Sequence, residues 1–270
     1  MPKQSLAQSG NSVVFIPHGA GPLPLLGDKS HQNLHDFLQT LPDILIKPSA
    51  ILVISAHWEA DRVTVSSTMP PKLLYDYYGF PDAAYQISYS APGEAVLAER
   101  VLDLLKANGI PSSLDNQRGF DHGLFVPLKI MYPDAKIPCI QLSLLNNMDA
   151  AAHIRIGKAL TALKNENVLI IGSGFSFHNM QAFFSDNAEN ETKNQVFTNW
   201  LIETCTLESV SEQERESRLT RWNEASFARF CHPREEHLLP LHVCYGIAQI
   251  AAKLVFHQQV AGKSACAFVW

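Results

Sequence analysis

The sequence predicts an α/β fold: a single domain in which a central, mostly parallel or mixed β-sheet is flanked by helices on both faces. Strand-like and helix-like patterns alternate up to Gly174, which is typical of this class. Three of the strand candidates are continuous apolar runs, as expected for central strands that are buried on both faces. The length of 270 residues and the apolar share of 46% suit one domain over residues 1–270, with residues 1–11 as a flexible tail.

Six segments combine β-branched or apolar residues with flanking turn residues, and each is predicted to form a strand. They are Val13–Ile16, Ala50–Ser55, Val63–Ser67, Tyr85–Tyr89, Pro138–Leu144 and Val168–Gly174. The final segment "ACAFVW" is a candidate for a last strand.

Four segments with helical spacing of apolar residues lie between these strands, and Gly109 is well placed to end the second helix. After Gly174 the pattern is mainly helical through Phe256, except for a loop around Phe227 to Pro233. The four predicted helices are His31–Leu41, Gly93–Asn108, Leu124–Met131 and Asp149–Lys164.

Composition excludes several classes of protein. A net charge of −5 without a dense Lys/Arg run argues against nucleic acid or a membrane as a partner. The segment "MPKQSLAQSGNS" lacks the apolar core of a signal peptide, and no apolar run approaches the ~20 residues that span a bilayer. Five scattered cysteines without a C-x-x-C pair fit a reducing compartment. We therefore expect a cytoplasmic protein that acts on small molecules, and no feature identifies a protein partner.

Five of the eleven histidines follow strands, lie in turns or precede a helix. Because the loops that leave the carboxyl ends of parallel strands build the ligand crevice of an open α/β sheet, these side chains could meet at one rim. A cluster of neutral imidazoles is a suitable ligand set for zinc or non-haem iron. The five are His18 in "IPHGAGPLPL", His57 in "VISAHWEA", His122 in "GFDHGLFVP", His178 in "IIGSGFSFHNM" and His237 in "HPREEHLLPLH".

Taken singly, each of these histidines is no more consistent with a ligand than with a turn or strand-end residue bonded to nearby backbone. The other six lie on predicted helix faces or in ordinary loops, which favours a structural role for His31, His35, His153, His232, His242 and His257. The chain also lacks the glycine-rich phosphate loops and the G-x-S-x-G motif of serine hydrolases.

Seven motifs between Val13 and about Cys244 place the chain near a known family. In order they are "IPHGAGPLPL", "ISAHWE", "LLYDYYGFP", "GFDHGLFVPLKIMYP", "IPCIQLSL", "GSGFSFHN" and "HPREEHLLPL". In this order they resemble the class III extradiol ring-cleavage dioxygenases. "YDYYGFP" and the histidine in "EEHLLP" are similar to the branch of the 4,5-DOPA extradiol dioxygenases.

The resemblance implies that His18, His57 and His237 are the metal ligands. It implies His178 as the acid–base residue, with a fourth-ligand role as the alternative, and His122 as a residue that contacts substrate and O2. In the better-known branch the third ligand is a carboxylate, whereas position 237 is histidine. Three neutral ligands leave the full +2 charge on the metal, so both Fe(II) and Zn(II) stay open.

The resemblance implies an oxidoreductase that cleaves the ring of a DOPA-like catechol with both atoms of O2, giving a muconic semialdehyde. Trp58, Tyr77 and His122 are expected beside this substrate, and Phe177 is a further candidate wall. Two other classes stay open: a zinc-dependent hydrolase, and a non-enzymatic signalling relative of the fold. The presence of both His122 and His178 argues against the second class, and oxygen uptake with a catechol separates the dioxygenase from the hydrolase.

Overall fold

A mixed sheet of eight strands organises the molecule. The computed structural model describes residues 13–45, 47–67, 71–183 and 187–270. The strands are β1 (Val13–Pro17), β2 (Ala50–Ala60), β3 (Val63–Ser66), β4 (Ser112–Asp115), β5 (Cys139–Leu145), β6 (Val168–Gly174), β7 (Lys253–Val260) and β8 (Lys263–Val269). Their spatial order is β4-β3-β5-β2-β6-β1-β8-β7. The central strands β5, β2, β6 and β1 are parallel, whereas β3 joins β5, β8 joins β1 and β7 joins β8 in antiparallel pairs.

Helices connect these strands. They are α1 (Gln32–Thr40), α2 (Ala95–Ala107), α3 (His122–Met131), α4 (Ala150–Ala159), α5 (Met180–Phe183), α6 (Ala188–Thr206), α7 (Glu212–Thr220), α8 (Ala228–Cys231) and α9 (Leu239–Ala248). None of the helices in the described ranges is both long enough and apolar enough to cross a membrane.

Two consecutive residues of β6 show that helices cover both faces of the sheet. A Cβ at Gly172 would lie 2.8 Å from the carbonyl oxygen of Pro240 in α9. The next residue, Ser173, donates a hydrogen bond to the carbonyl of Gly123 in α3. Because successive strand residues point to opposite faces, α9 and α3 lie on opposite sides of β6. The predicted fold class is confirmed.

The predicted strand Tyr85–Tyr89 is wrong. Residues Asp82–Gln86 form a short 3-10 helix, and the rest of the segment pairs with no strand in the described part of the chain. The hydroxyl of Tyr75 donates to the carbonyl of Ile87 at 2.6 Å, and that of Tyr77 donates to the carbonyl of Ala84 at 2.7 Å. The aromatic residues that suggested a strand therefore stabilise a compact loop.

Two strands were not predicted from the sequence. β4 has the polar sequence "SSLD", and β7 begins where the helical prediction was extended through Phe256. Both lie at the edges of the sheet, and most of the side chains of β7 are exposed. An edge strand with little buried surface lacks the apolar period by which strands are recognised. The last strand is confirmed as β8.

Several boundaries also differ from prediction. β2 continues to Ala60, α3 already begins at His122, and α8 occupies part of the predicted loop. The predicted helix Asp149–Lys164 divides into α4 and a 3-10 turn over Thr161–Asn165. The proposed tail over residues 1–11 lies outside the described residues.

Candidate active site

The parallel strands β1, β2 and β6 direct three histidines to the same edge of the sheet. His18 directly follows β1, and its backbone N–H donates to the carbonyl of Gly174 at the end of β6, at 3.1 Å. His178 follows β6 by a few residues. His57 was expected just past the second strand, but it lies within β2. The pairing of β2 with β6 ends at Ser55, so His57 belongs to a segment that projects beyond its neighbour.

Two further histidines reach this edge from helix N-termini. His122 is the first residue of α3, after the N-cap position Asp121. His237 precedes α9, and its carbonyl accepts a hydrogen bond from the N–H of Phe175 at 3.0 Å, which joins this loop to the end of β6. All five histidines line one cavity of about 450 Å³.

The rings lie in mutual contact. The ring centroid of His18 lies 4.8 Å from that of His57 and 5.2 Å from that of His237. The His57 centroid lies 3.9 Å from that of His122 and 4.8 Å from that of His237. His178 stacks on His237 with centroids 3.4 Å apart. The structure thus brings together every histidine for which the sequence suggested a site role.

Each of the five rings directs its Nδ1 atom towards an oxygen atom, and three different side chains supply these oxygens. Carboxylate oxygens only accept hydrogen bonds, so they favour the tautomer that carries the proton on Nδ1 and leaves a lone pair on Nε2. The Nδ1 contacts are His18 to Ser173 at 3.0 Å, His57 and His122 to Asp76 at 3.5 and 2.8 Å, and His178 and His237 to Glu236 at 2.7 and 3.1 Å.

The tautomer of His18 follows from the same reasoning. The hydroxyl of Ser173 donates to the carbonyl of Gly123, so its oxygen accepts the proton of His18 Nδ1. The Nε2 atoms of His18 and His57 lie only 3.0 Å apart. Two lone pairs at this distance repel each other, and a cation bound by both nitrogens removes that repulsion. The donor set therefore fits a metal ion.

Burial keeps these imidazoles neutral. It lowers the pKa of His18, His57 and His237 well below the usual histidine value, and the neighbouring histidines lower each further. Neutral imidazole is the form that binds a metal.

The ligand atoms fall into two groups. In the described part of the chain, the ligand atoms of His18, His57 and His122 lie within 4.8 Å of one another, as do those of His178, Glu236 and His237. The ligand set implied by the resemblance takes two members from the first group and one from the second. Both His122 and His237 are therefore candidates for the third position.

Asp76 and Glu236 contact the clustered histidines, and the sequence alone did not single them out. Asp76 lies inside "YDYYGFP", where an acid among aromatic residues was the available signal. Burial would raise the pKa of Asp76, but hydrogen bonds from His122 and the nearby His57 outweigh it and lower the pKa to about 2. Glu236 approaches Arg234 at 3.5 Å, and Arg234 binds Glu59 of β2 through both guanidinium NH groups.

The predicted aromatic walls are only partly correct. Tyr77 lines the cavity, and its ring centroid lies 5.7 Å from that of His122. Trp58 does not line it, because it follows His57 on the strand and points to the other face, where it packs under Arg118. Phe177 packs against Phe183 and Phe230, and Phe175 takes the place expected for it.

The remaining histidines have structural surroundings. His153 accepts the N–H of Leu145, His242 contacts the carbonyls of Leu238 and Leu219, and His31 accepts the N–H of Ala20. His232 is buried between Phe197 and Trp222. His35 and His257 lie on α1 and β7, away from the cavity.

Residues 13–268 match the family described as the catalytic LigB subunit of aromatic ring-opening dioxygenase. The chain belongs to this LigB family. Dioxygenase tasH from Hapsidospora irregularis is 35% identical, over 96% of this chain and 85% of its own. The 4,5-DOPA dioxygenase extradiol of Beta vulgaris is 40% identical, over 87% of this chain and 85% of its own. The crystal structure of protein JW3007 from Escherichia coli K12 superimposes with a TM-score of 0.72 at 28% identity, covering 95% of this chain and 98% of that one.

Membership of the LigB family confirms the resemblance to the extradiol dioxygenases. The chain is an oxidoreductase that opens aromatic rings with dioxygen, and its histidine cavity is the candidate site of that reaction.

Proposed function

We propose that this LigB-family chain cleaves a catechol at a single ferrous ion, with His18, His57 and His237 as ligands. The observation that carries the proposal is the shared orientation of the five histidines, whose Nδ1 atoms face oxygen acceptors and whose Nε2 atoms are left for the cavity. His122 contacts the substrate in this arrangement. When bound, Fe(II) supplies adjacent open positions for both reactants and an electron path between them.

His178 moves the proton in this proposal. Nδ1 of His178 lies 2.7 Å from Oε1 of Glu236, and this negative charge favours a proton on Nδ1, which leaves the lone pair of Nε2 available. A catechol hydroxyl resembles a phenol with a pKa of about 10, and a bound Fe(II) would lower the pKa of that hydroxyl. The neutral imidazole of His178 would then accept the hydroxyl proton as the substrate binds and return it to an oxygen of the opening ring.

The cysteines also indicate where the protein acts. All five cysteines are free and buried, which supports a reducing compartment such as the cytoplasm.

Oxygen consumption tests the reaction. The protein is loaded with Fe(II) without air and mixed with a panel of catechols that includes DOPA, and O2 uptake is recorded beside the absorbance of the ring-opened product. One O2 consumed per ring opened, with both labelled oxygen atoms in the product, is expected. No uptake with any catechol, together with ester or amide hydrolysis by the Zn(II) form, would replace the dioxygenase by a hydrolase.

Metal binding tests the ligand set without activity. A metal that binds only the folded chain adds RT ln(1 + [metal]/Kd) to the free energy of unfolding, so Fe(II) and Zn(II) should raise the unfolding temperature of the wild type. His18→Ala, His57→Ala and His237→Ala should lose most of this shift, whereas His122→Ala and the half-exposed control His35→Ala should keep it. A shift lost in His122→Ala and kept in His237→Ala would exchange the roles of those two residues.

A further inference from the structure

Beyond its histidines, the cavity has an apolar lining. Tyr77 and Phe80 come from the loop that follows β3, with ring centroids 5.5 Å apart. Phe175 and Phe183 come from the segment that follows β6, with centroids 5.9 Å apart. Met180 lies at the rim with about half of its surface exposed. A substituent that extends from the metal-facing ring therefore meets aromatic and aliphatic carbon.

The described lining has no basic side chain other than its histidines. Among the described residues around the cavity none is lysine or arginine, and Asp76 contributes a negative charge. The internal residues that the structure does not describe, 46, 68–70 and 184–186, include no lysine or arginine either. The guanidinium of Arg234 does not line the cavity and is bound to Glu59 and Glu236.

This chemistry discriminates between substituents on a catechol. A carboxylate on the substituent loses water on entering the cavity without gaining a lysine or arginine side chain as a partner. An ammonium group also loses its water, and the contacts with the rings of Phe80, Phe175 and Phe183 that replace it contribute only about twofold to thirtyfold in affinity. The carboxylate of Asp76 is already hydrogen-bonded to His122. An alkyl or aryl group gains from burial, at ~0.8 kcal/mol per methylene, which is about fourfold in affinity.

We propose that the substrate is a catechol with an uncharged, apolar substituent. The proposal rests on the ring-opening function above and differs from the DOPA-like substrate that the resemblance implies, because the side chain of DOPA carries a carboxylate and an ammonium group. A cavity of about 450 Å³ lies within the range that encloses drug-sized ligands, so it leaves room for a substituent beside the ring.

Three catechols of matched length test this preference: propylcatechol, the corresponding dihydroxyphenylpropanoate, and the catechol with an aminoethyl chain. Dissociation constants are measured by calorimetry on Zn(II)-loaded protein without oxygen, and kcat/KM on the Fe(II) form. Propylcatechol should bind at least about tenfold more tightly than either charged analogue, and its kcat/KM should be higher by a similar factor. Equal or tighter binding of a charged analogue would overturn the proposal. The binding order decides the preference even if no ring is cleaved, an outcome that would count against the proposed function instead.

A gain-of-function variant gives a second test. Met180→Arg places a guanidinium at the rim of the cavity, and the neutral variant Met180→Gln is the control for lost packing. Met180→Arg should improve binding of dihydroxyphenylpropanoate by at least about fivefold relative to Met180→Gln, while propylcatechol gains nothing. Equal carboxylate binding by the two variants would show that the missing cation does not set the preference.

Discussion

Asp76 accepts two hydrogen bonds from His122, from the backbone N–H at 3.0 Å and from ring Nδ1 at 2.8 Å. Its other carboxylate oxygen lies 3.5 Å from Nδ1 of His57. One carboxylate thus holds the ring of His122 by hydrogen bonds and places its negative charge beside the ring of His57. Its negative charge also favours a proton on each Nδ1 atom, which leaves both Nε2 atoms available.

Asp76→Asn should therefore weaken the site although it preserves the size of the side chain. The amide has one acceptor oxygen and no charge, so it cannot hold both rings in the same tautomer. Loss of such a carboxylate lowers metal affinity or activity by about 10–100-fold. Metal titration and kcat are the measurements, and Asp82→Asn, exposed in the same segment, is the control. Wild-type metal affinity together with wild-type kcat in Asp76→Asn would remove this role.

Gly157 of α4 and Gly246 of α9 let the two helices touch backbone to backbone. A Cβ at Gly157 would lie 2.2 Å from the carbonyl oxygen of Val243, and one at Gly246 would lie 2.2 Å from that of Ile154. Gly157→Ala should lower the free energy of unfolding by about 1–3 kcal/mol through overpacking. This loss opposes the gain of up to ~1 kcal/mol that alanine brings to a helix interior.

Urea unfolding measures this loss. The control is Arg155→Ala, an exposed change on the same helix, which should stay within about 0.5 kcal/mol of wild type. An unchanged or higher stability of Gly157→Ala would show that the helices can separate without cost.

His153 should make the fold sensitive to acid. Its Nδ1 contacts the carbonyl of Asp149 at 2.7 Å, and its Nε2 accepts the N–H of Leu145 at 3.1 Å. Protonation would turn Nε2 into a donor that faces another donor. Burial outweighs the favourable contact with Asp149 and lowers the pKa of His153 to about 4.

Proton linkage gives the direction in which pH changes the stability. Between pH 6.5 and pH 4, His153 is protonated in the unfolded chain but still neutral in the folded chain. The free energy of unfolding therefore decreases as the pH is lowered through this range. The full effect is about 3 kcal/mol. His153→Gln keeps an acceptor for Leu145 but does not titrate. Its free energy of unfolding should therefore fall less than that of the wild type between pH 6.5 and 4, and parallel curves would contradict the prediction.

The central strands could be predicted because a strand that is buried on both faces has a continuous run of apolar residues. The apolar runs at Ala50–Ser55 and Val168–Gly174 are rich in β-branched residues and are typical of strands in a sheet covered on both faces. The edge strands β4 and β7 lack such a run. They are held by pairing with a neighbouring strand, which the local sequence does not specify. The aromatic segment Tyr85–Tyr89 misled for the opposite reason, because its residues suit a strand locally but pack as a loop.

The site divides in the same way. The histidines could be found because each follows a strand, lies in a turn or precedes a helix, positions at which an α/β sheet gathers its ligands. The carboxylates Asp76 and Glu236 could not be chosen from among 26 acidic residues, because their role depends on contacts between segments distant in sequence. Trp58 was assigned to the wrong side because the prediction ended β2 before the strand did.

The pairing of His178 with Glu236 gives the most direct test of proton transfer. Glu236 Oε1 lies 2.7 Å from His178 Nδ1 and 3.1 Å from His237 Nδ1, so one carboxylate serves both the proposed acid–base residue and a proposed ligand. His178→Ala removes only the first of these partners. It should lower kcat by roughly 10²–10⁴ while metal content and substrate affinity stay near wild type. Added imidazole should restore part of kcat, which a merely structural loss would not allow.

Glu236→Gln serves as the contrasting variant. It weakens the contacts of the carboxylate with both rings, so it should lower metal affinity as well as kcat. Loss of metal in His178→Ala would make His178 a fourth ligand, and near-normal turnover with the metal retained would exclude both roles.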